Sequence, residues 1–299
     1  MIEELAGVEL GGTKTIVVRG RPGAIRDRVE FPTLSPDSTL RHAAGIIEAW
    51  HAERAIAALG IASFGPVRVD ERAPDYGEIL TTPKPGWSGA RVRGLLCERL
   101  GLPTAIDTDV NAAALAEYTL GAAQDCATMA YVTIGTGVGG GILVDGKPVH
   151  GILHPEIGHL RLRRAAGDRF AGHCPFHGDC LEGLVSGPAL AARFGRHPAE
   201  VPSDDPAWQP VVADLAELVA SLILSYSPQR IVIGGGVAQR QTHLLTAATA
   251  AVPRLLAAYL TDLIPDRLRE LVVTAGLGDD AGPTGALLLA QRASEASRT

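Results

Sequence analysis

The sequence predicts an α/β fold in two halves, because apolar, β-rich segments alternate with helical patterns along the chain. The order strand, glycine turn, strand occurs near the N-terminus and returns after about residue 125. The length of 299 residues also exceeds what one hydrophobic core usually holds. We therefore expect one α/β domain at 1–120 and a second at 121–299. The second should carry an insertion at about 154–182, and the last helix should pack back on the first domain.

In the first half, the pattern predicts a hairpin over 7–20 and an alanine-rich helix over 42–60, closed by a glycine. A short strand at 61–66 precedes a further strand at 102–107 and a helix at 110–120. This order of strands and helices is that of an α/β domain.

In the second half, strands are predicted near 127–134 and 141–144, a helix over 211–226 and a strand at 230–233. The stretch 161–210 is richer in Arg, His, Pro, Asp and Gly than its surroundings. That composition predicts an irregular insertion, which something must hold in place.

Composition and charge exclude several classes of protein. The formal net charge of -6 argues against a nucleic-acid-binding surface, which needs clustered Lys and Arg. The N-terminus lacks the charged and apolar regions of a secretory signal. We expect no apolar run long enough to cross a bilayer, because even the richest stretches are broken by Gly, Asp or Arg. We expect a cytoplasmic protein with neither a membrane nor a nucleic-acid partner. In that reducing compartment, thiols or metal ligands are favoured over disulfides for the four cysteines.

Glycine clusters follow apolar segments at three places, in VELGGTKT, TIGTGVGGG and VIGGGV. Successive backbone N–H groups in such turns form a concave nest for phosphate oxygens. A single cluster is more often a tight hairpin or bulge, but their recurrence favours a nucleotide site. The turn at 11–14 lacks Walker A spacing, and 135–141 lacks the following helix of a dinucleotide fingerprint. P-loop and dinucleotide folds are therefore disfavoured.

Two side-chain groups can carry chemistry. Asp109 stands where a strand gives way to a helix, so its carboxylate either accepts a proton from a hydroxyl or, like Asp107, caps the helix. Cys174, His177 and Cys180 are spaced to bind a tetrahedral zinc that takes one more distant ligand. His159 and His173 are the candidates for that fourth ligand. A disulfide between the two cysteines, or idle thiols, are the alternatives.

The motifs as a set resemble those of a known family. VELGGTKT, SFGP, TTPKPGW, DTDVNAAALAE, TIGTGVGGG, HPEIGH, CPFHGDCLEG and VIGGGV occur in the order seen in the ROK sugar kinases of the actin-like ATPase superfamily. The resemblance covers nearly the whole chain and is strongest to the bacterial fructokinase branch, which also has Thr at 108 where many relatives have Asn. It implies a two-domain, ribonuclease H-like fold with a ligand cleft between the domains. It also implies ATP, Mg²⁺ and Zn²⁺ as cofactors and a homodimer.

The resemblance also implies roles for individual residues. Asp109 would be the general base, and the sugar would be bound by Glu156, His159, Glu182, Asn111, Gly65 and Pro66. ATP would be bound by Gly11, Gly12, Thr13, Lys14, Thr136, Gly137, Gly234, Gly235 and Gly236. Zinc would be bound by His159, Cys174, His177 and Cys180, although the commoner family pattern has three cysteines in this loop.

The expected activity is transfer of the γ-phosphoryl group of ATP to the 6-hydroxyl of a hexose, converting fructose to fructose 6-phosphate. A glucokinase, mannokinase or N-acetylhexosamine kinase of the same family is the alternative. An alternative of another class is a sugar-sensing regulator that lacks a DNA-binding domain, since the first strand is predicted within a few residues of Met1 and leaves no helix-turn-helix in view.

Overall fold

The computed structural model describes residues 3–298, which form two compact units. The first unit comprises the described residues up to Leu120, the segment Lys147–His154 and the residues from Asp279 onward. The second comprises Gly121–Gly146 and Pro155–Gly278. The sequence suggested one boundary at residue 120, whereas this division also assigns two later segments to the first unit.

The structure contains ten strands and ten α-helices within residues 3–298. In chain order they are β1 (Glu4–Leu10), β2 (Lys14–Arg21), β3 (Ala24–Pro32), α1 (Pro36–Glu53), β4 (Ile56–Ser63), α2 (Val92–Leu100), β5 (Thr104–Thr108), α3 (Asp109–Leu120), β6 (Thr128–Ile134), β7 (Val138–Val144), β8 (Lys147–Pro148), α4 (Leu181–Val185), α5 (Gly187–Phe194), α6 (Gln209–Tyr226), β9 (Arg230–Gly234), α7 (Gly236–Arg240), α8 (Thr242–Leu256), α9 (Pro265–Leu271), β10 (Val272–Thr274) and α10 (Ala281–Ala296).

The sheet of the first unit has the strand order β3-β2-β1-β4-β5. Strands β1, β2 and β3 form an antiparallel meander, as the predicted hairpin requires, and β4 and β5 run parallel to β1. Parallel strands end at the same edge of a sheet. The residues that follow β1, β4 and β5 are therefore brought to one edge of this unit.

Both faces of this sheet are buried. Alternate residues of β1 and β2 enter two separate clusters, because successive side chains of a strand point to opposite faces. One cluster includes Val8 together with Ile47 of α1, and the other includes Leu5 together with Leu287 of α10. The unit is thus a sheet covered by helices on both sides.

Helix α10, although last in the chain, lies directly on strands β1 and β4 and on helix α3. A Cβ atom on Gly60 would come within 1.9 Å of the carbonyl oxygen of Ala286, and one on Gly285 within 2.1 Å of that of Ala112. These two glycines therefore allow a contact between backbones that no larger residue would permit.

The sheet of the second unit includes the run β10-β9-β6-β7. Strand β9 is parallel to β6 and to β10, whereas β7 returns antiparallel to β6. Helix α6 packs on α8 and α4 at the centre of this unit. The stretch predicted to be irregular, 161–210, contains two short helices, α4 and α5, which the composition of the stretch did not reveal.

One helical stretch among residues 3–298, Pro206–Tyr226, is long and apolar enough to cross a membrane by length and composition alone. The expectation that no apolar run reaches this length is wrong for this stretch. Fifty-six per cent of its most apolar 18-residue window is buried inside the protein, and the side chain of Asp214 within it is wholly buried against Arg193. Core helices can be equally long and apolar, and α6 packs as one of these.

Candidate functional site

Three predicted site segments of the first unit begin in one row across its sheet. Leu10 at the end of β1 is paired with Ser63 at the end of β4, and Ser63 is paired with Thr108 at the end of β5. The turn at 11–13 follows the first of these residues, Gly65 and Pro66 follow the second, and Asp109 follows the third. Carboxyl ends of parallel strands are the usual place for ligands in α/β sheets.

The turn between β1 and β2 is open on its outer side. Gly12, Thr13 and Lys14 are exposed, and the backbone N–H of Gly11 donates to the carbonyl of Lys14 over 3.0 Å. The ammonium of Lys14 is paired with Glu30 at 3.2 Å. A lysine that the sequence did not single out, Lys84, donates to the carbonyl of Gly12 over 2.5 Å.

Asp109 is the first residue of α3, and Thr108 supplies the cap of this helix. The Asp109 carboxylate accepts a hydrogen bond from the N–H of Val110 over 2.9 Å. Asp109 is half-buried, and burial of its carboxyl raises the pKa to about 7. A carboxyl that ionises near neutral pH is suited to act as a general base.

Glu9 of β1 is an acidic group that sequence reasoning missed. Burial raises its pKa to about 7, and the negative charge of Asp109 adds to that rise. Its Oε2 atom is buried and has no hydrogen-bond partner within residues 3–298. The signal in the sequence was a glutamate near the end of a largely apolar strand, two residues before the first glycine turn.

Beneath the start of α3 lies a polar network that also includes a predicted sugar-binding residue. The amide nitrogen of Asn111 donates to Asp107 over 2.8 Å, and Nε2 of His150 lies 3.0 Å from the other oxygen of Asp107. This hydrogen bond to Asp107 raises the pKa of His150. In the structure Asn111 therefore holds Asp107, and its own Oδ1 is buried without a partner in the described part of the chain.

The turn that contains Gly65 and Pro66 is fixed by hydrogen bonds to the residues on either side of it. The peptide bond between these two residues is cis, and the N–H of Val67 donates to Nε2 of His154 over 3.1 Å. The N–H of Phe64 donates to the carbonyl of Leu10 over 2.7 Å. The second of these bonds joins the turn to the end of β1.

In the second unit, two glycine turns meet at the ends of parallel strands β6 and β9, where Thr133 is paired with Gly234. The carbonyl of Gly135 accepts from the N–H of Gly187 over 2.7 Å, which fixes the turn that continues into Thr136 and Gly137. Gly235 has φ +86°, and a Cβ atom on it would come within 2.5 Å of the Ile134 carbonyl oxygen. Only glycine fits at this position, which brings the turn at 234–236 against the end of β6.

In the second glycine cluster, TIGTGVGGG, the glycines after Gly137 serve a different purpose from the one predicted. Strand β7 begins at Val138, so the glycines at 139–141 lie inside a strand paired with β6. The 3₁₀ turn Ile157–His159 packs on them, since a Cβ atom on Gly140 would come within 2.0 Å of the Ile157 side chain. These glycines therefore make room for the HPEIGH segment, in which Glu156 is exposed.

Glu182, at the start of α4, lies against the turn at Thr136 and Gly137. Its Oε2 atom accepts from the N–H of Val138 over 3.1 Å, and a Cβ atom on Gly137 would come within 2.8 Å of the same oxygen. Its charge also acts on His159. Of the residues predicted to bind sugar, Glu182 thus contacts the glycine turn, and His159 lies close enough to Glu182 to feel its charge.

A cluster of four potential metal ligands lies beside Glu182. One ligand atom from each of His159, Cys174, His177 and Cys180 lies within 4.8 Å of all the others. Nδ1 of His159 is 3.4 Å from Sγ of Cys180 and 3.8 Å from Sγ of Cys174, and Nδ1 of His177 is 3.8 Å from Sγ of Cys174. A tetrahedral zinc bound by sulfur and nitrogen would separate its ligands by about 3.4–3.8 Å.

The chemistry of these donors also fits zinc. Burial lowers the pKa of His159, which favours the neutral imidazole that a metal requires. The two cysteines are free thiols rather than a disulfide. His173, the other candidate for the fourth ligand, is not among the four clustered side chains.

Comparison with known proteins identifies the relatives of this chain. It is 40% identical over 294 residues to a fructokinase of Zymomonas mobilis subsp. mobilis, a match that covers 95% of each chain. It is 39% identical over 294 residues to a fructokinase of Pediococcus pentosaceus, covering 97% of this chain and 98% of that one.

Its structure resembles that of a ROK family glucokinase from Streptomyces griseus in complex with glucose and AMPPNP. The TM-score is 0.75 at 26% sequence identity, over 97% of this chain and 99% of that one. The sequence model of the ROK family matches residues 5–293, which include every segment of both edges described above. The chain therefore belongs to the ROK family.

Proposed function

We propose that this chain is a fructokinase that transfers the γ-phosphoryl group of ATP to the 6-hydroxyl of fructose. The observation that carries the proposal is the sequence identity of about 40% with fructokinases over nearly the whole length of the chain. The aligned part includes the residues that follow β1, β4 and β5 and those that follow β6 and β9. An enzyme of this class needs a phosphate-binding backbone, a base for the hydroxyl and polar groups for the sugar ring. The described residues offer all three.

Asp109 is the proposed general base. Its carboxylate would accept the proton of the 6-hydroxyl as that oxygen forms a bond to the γ-phosphorus and the bond from this phosphorus to ADP breaks. A pKa of about 7 leaves a substantial fraction ionised at neutral pH and basic enough to take the proton. In phosphoryl transfer most of the acceleration comes from positioning and charge stabilisation, so this base adds one part of the total.

Glu9 supports the proposed use of Mg²⁺. This cation prefers carboxylate oxygens and water, and Oε2 of Glu9 is a buried carboxylate oxygen that lacks a partner among residues 3–298. When bound with ATP, Mg²⁺ neutralises phosphate charge. Glu9 and Asp109 are the residues that would face it, because the charge of Asp109 already acts on Glu9.

The glycine turns are the proposed phosphate and nucleotide contacts. The exposed turn at 11–14 offers backbone N–H groups from the first unit, whereas Thr136, Gly137 and the turn at 234–236 do so from the second. Backbone N–H groups in open turns bind phosphate oxygens without any charged side chain. This agrees with the pairing of Lys14 to Glu30.

The cluster of His159, Cys174, His177 and Cys180 is the proposed zinc site. Four protein ligands leave no open position for water or substrate, so zinc would act on structure alone. It would fix the ring of His159, and with it the HPEIGH segment that carries Glu156. Fructose would then be bound by Glu156, His159 and Glu182, together with the turn at Gly65 and Pro66 and with Asn111. We further propose that the enzyme works in the cytoplasm as a homodimer.

The proposal is tested by measuring ADP release from Mg-ATP with fructose, glucose, mannose, N-acetylmannosamine and N-acetylglucosamine in turn. Saturable turnover with the highest kcat/KM for fructose is the expected result. A higher kcat/KM for another sugar would replace fructose as the substrate and retain the kinase. Absence of turnover with all five sugars, in folded protein that binds ATP, would contradict the proposal and favour the sugar-sensing alternative.

A further inference from the structure

We propose that Lys84 is a positioning residue of the phosphate-binding turn at 11–14, a role that rests on the proposed kinase function. Lys84 lies 70 positions beyond the lysine of the GGTK motif, in the segment TTPKPGW. The ammonium of Lys84 donates to the carbonyl of Gly12 over 2.5 Å and to that of Thr33 over 3.3 Å.

Each of the four carbonyl groups of this turn has a hydrogen-bond donor. The carbonyl of Gly11 accepts from the hydroxyl of Thr33 over 2.8 Å, and that of Gly12 accepts from Lys84. The carbonyl of Thr13 accepts from the N–H of Thr33 over 2.9 Å, and that of Lys14 accepts from the N–H of Gly11 over 3.0 Å. Gly11 and Thr33 are adjacent to the first three strands, whereas Lys84 is distant from them in the chain.

The N–H groups of the same turn are arranged differently. Those of Gly12 and Thr13 have no acceptor within the described range 3–298, and both residues are exposed. In a planar trans peptide the C=O and N–H groups point in opposite directions. By holding the carbonyl of Gly12, Lys84 therefore turns the N–H of Thr13 to the opposite side of the same peptide, where an anion can accept from it.

Because residue 12 is a glycine, its peptide needs a hydrogen bond such as that from Lys84 to fix its orientation. A Cβ atom on Gly12 would meet nothing within 4 Å, so packing does not fix the orientation of this peptide. Glycine also has more backbone freedom than any other residue. A hydrogen bond to a charged donor is among the stronger ways to fix a peptide.

Lys84 is itself held by a buried anchor three residues later. The Trp87 side chain is wholly buried, its ring nitrogen donates to the carbonyl of Leu34 over 2.9 Å, and its ring meets that of Phe64 edge-on at 5.1 Å. The N–H of Trp87 donates to the carbonyl of Lys84 over 3.2 Å. The segment thus joins a fixed point in the core to the phosphate turn.

Charge supports the same role. The ammonium of Lys14 is neutralised by both carboxylate oxygens of Glu30, each at 3.2 Å. The Lys84 ammonium donates to two carbonyl groups, and no carboxylate within residues 3–298 is paired with it. Lys84 therefore adds positive potential beside the turn as well as orienting it.

The test compares Lys84→Met and Lys84→Arg with Lys147→Met, a matched exposed lysine outside the proposed site. Binding of Mg-ATP is measured by calorimetry without sugar, and KM for each substrate is measured separately. Lys84→Met should weaken ATP binding about tenfold, since a hydrogen bond to a charged group is worth about that much. Lys84→Arg should restore most of the affinity for ATP. Lys147→Met should change that affinity by less than about twofold, and the KM for fructose should change by less than about twofold in the Lys84 variants.

The outcomes separate the two proposals. Wild-type protein that does not bind ATP would overturn the proposed function, whereas binding that is equal in wild type and Lys84→Met would overturn the role of Lys84 alone. A lower melting temperature in Lys84→Met with unchanged ATP affinity would also reject it, because that result describes a purely structural lysine. Weaker ATP binding that Lys84→Arg does not improve would reject the orienting hydrogen bond.

Discussion

The hydroxyl of Thr108 accepts a hydrogen bond from the backbone N–H of Asn111 over 3.0 Å. This bond spans three residues and satisfies an N–H group at the start of α3, which is the role of a helix cap. Asp109, the next residue, does not have to provide the cap. Among residues 3–298, its carboxylate accepts hydrogen bonds from the backbone at the start of α3, which leaves it able to accept a proton from the substrate.

Asp109→Asn should therefore separate activity from stability. We expect kcat to fall by about 10²–10⁴, because the general base is lost. The protein should remain folded, since Thr108 retains the cap. At neutral pH the free energy of unfolding should rise rather than fall, because the neutral amide avoids the cost of ionising a buried carboxyl. Steady-state kinetics and urea unfolding of the same samples check this.

Thr108→Val is the converse control, because it removes the cap and should lower the free energy of unfolding by about 1 kcal/mol. If Asp109→Asn kept near wild-type kcat, Asp109 would not be the base.

The pH dependence should show activity and stability moving in opposite directions. Asp109 must be ionised to accept a proton, so kcat should rise between about pH 6 and 8, through the pKa of about 7. The same pKa is raised in the folded state above its ordinary value of 3.8, so the stability that Asp109 contributes is fully present below that value. It is lost as pH rises through about 7.

Rate profiles and urea unfolding from pH 5 to 8 measure these two trends. Glu9 ionises in the same range, so the two carboxyls should titrate as a coupled pair in the wild type. Glu9→Gln should remove the contribution of Glu9 from the pH dependence of the free energy of unfolding and simplify the titration of Asp109. A kcat that is flat over this range would exclude Asp109 as the titrating base.

Zinc removal should affect the sugar more than the nucleotide. We expect one zinc per chain by elemental analysis, and Cys180→Ser should lose it together with part of the melting temperature. Because zinc would fix the ring of His159, KM for fructose should rise at least about tenfold while the Kd for ATP stays within twofold. Cys97→Ser is the matched control, since the Cys97 thiol lies outside the four-ligand cluster. Equal fructose KM in zinc-free, folded protein would contradict this arrangement.

Gly235→Ala should lower the free energy of unfolding far more than Gly167→Ala does. The two glycines have nearly the same φ, +86° and +84°, so each alanine should lose about 1–2 kcal/mol to left-handed backbone strain. Only at Gly235 would the new Cβ atom also overlap the Ile134 carbonyl, whereas at Gly167 it meets nothing within 4 Å. Urea unfolding gives the difference, and Gly235→Ala should also weaken ATP binding. An equal loss of free energy of unfolding at both positions would contradict this prediction, because it would mean that the end of β6 moves to accommodate the new Cβ atom.

Local signals in the sequence predicted most of the strands and the position of Asp109. The hairpin of β1 and β2 and the helices α3 and α6 were predicted within a few residues, because their apolar periods are clear. Helix α1 was placed at 42–60 but spans Pro36–Glu53, where the Ser35 hydroxyl caps a helix that begins with proline. Residues 56–60 belong to β4, and the glycine taken for a helix end is there to admit α10.

What the sequence could not reveal depends on contacts between distant segments. Lys84 reaches the turn at 11–14 from 72 positions away, and Glu9 acquires its pKa from packing and from Asp109. The glycines at 139–141 resembled a ligand turn until the 3₁₀ turn at Ile157–His159 was placed on them. Spacing within a motif identifies the zinc loop, but only the fold selects His159 over His173.

The position of α10 on β1 and β4 has a consequence for synthesis of the protein. The first unit lacks one face of its core until residues 281–296 have been made, although its sheet is finished at Thr108. From Leu120 to Ala296 the ribosome must add 176 residues, which takes roughly 10–35 s at ordinary rates of elongation. During that interval Leu5, Ile16 and Val18 cannot yet pack against Leu287 and Ala290. The nascent first unit therefore exposes one apolar face of its sheet during that interval.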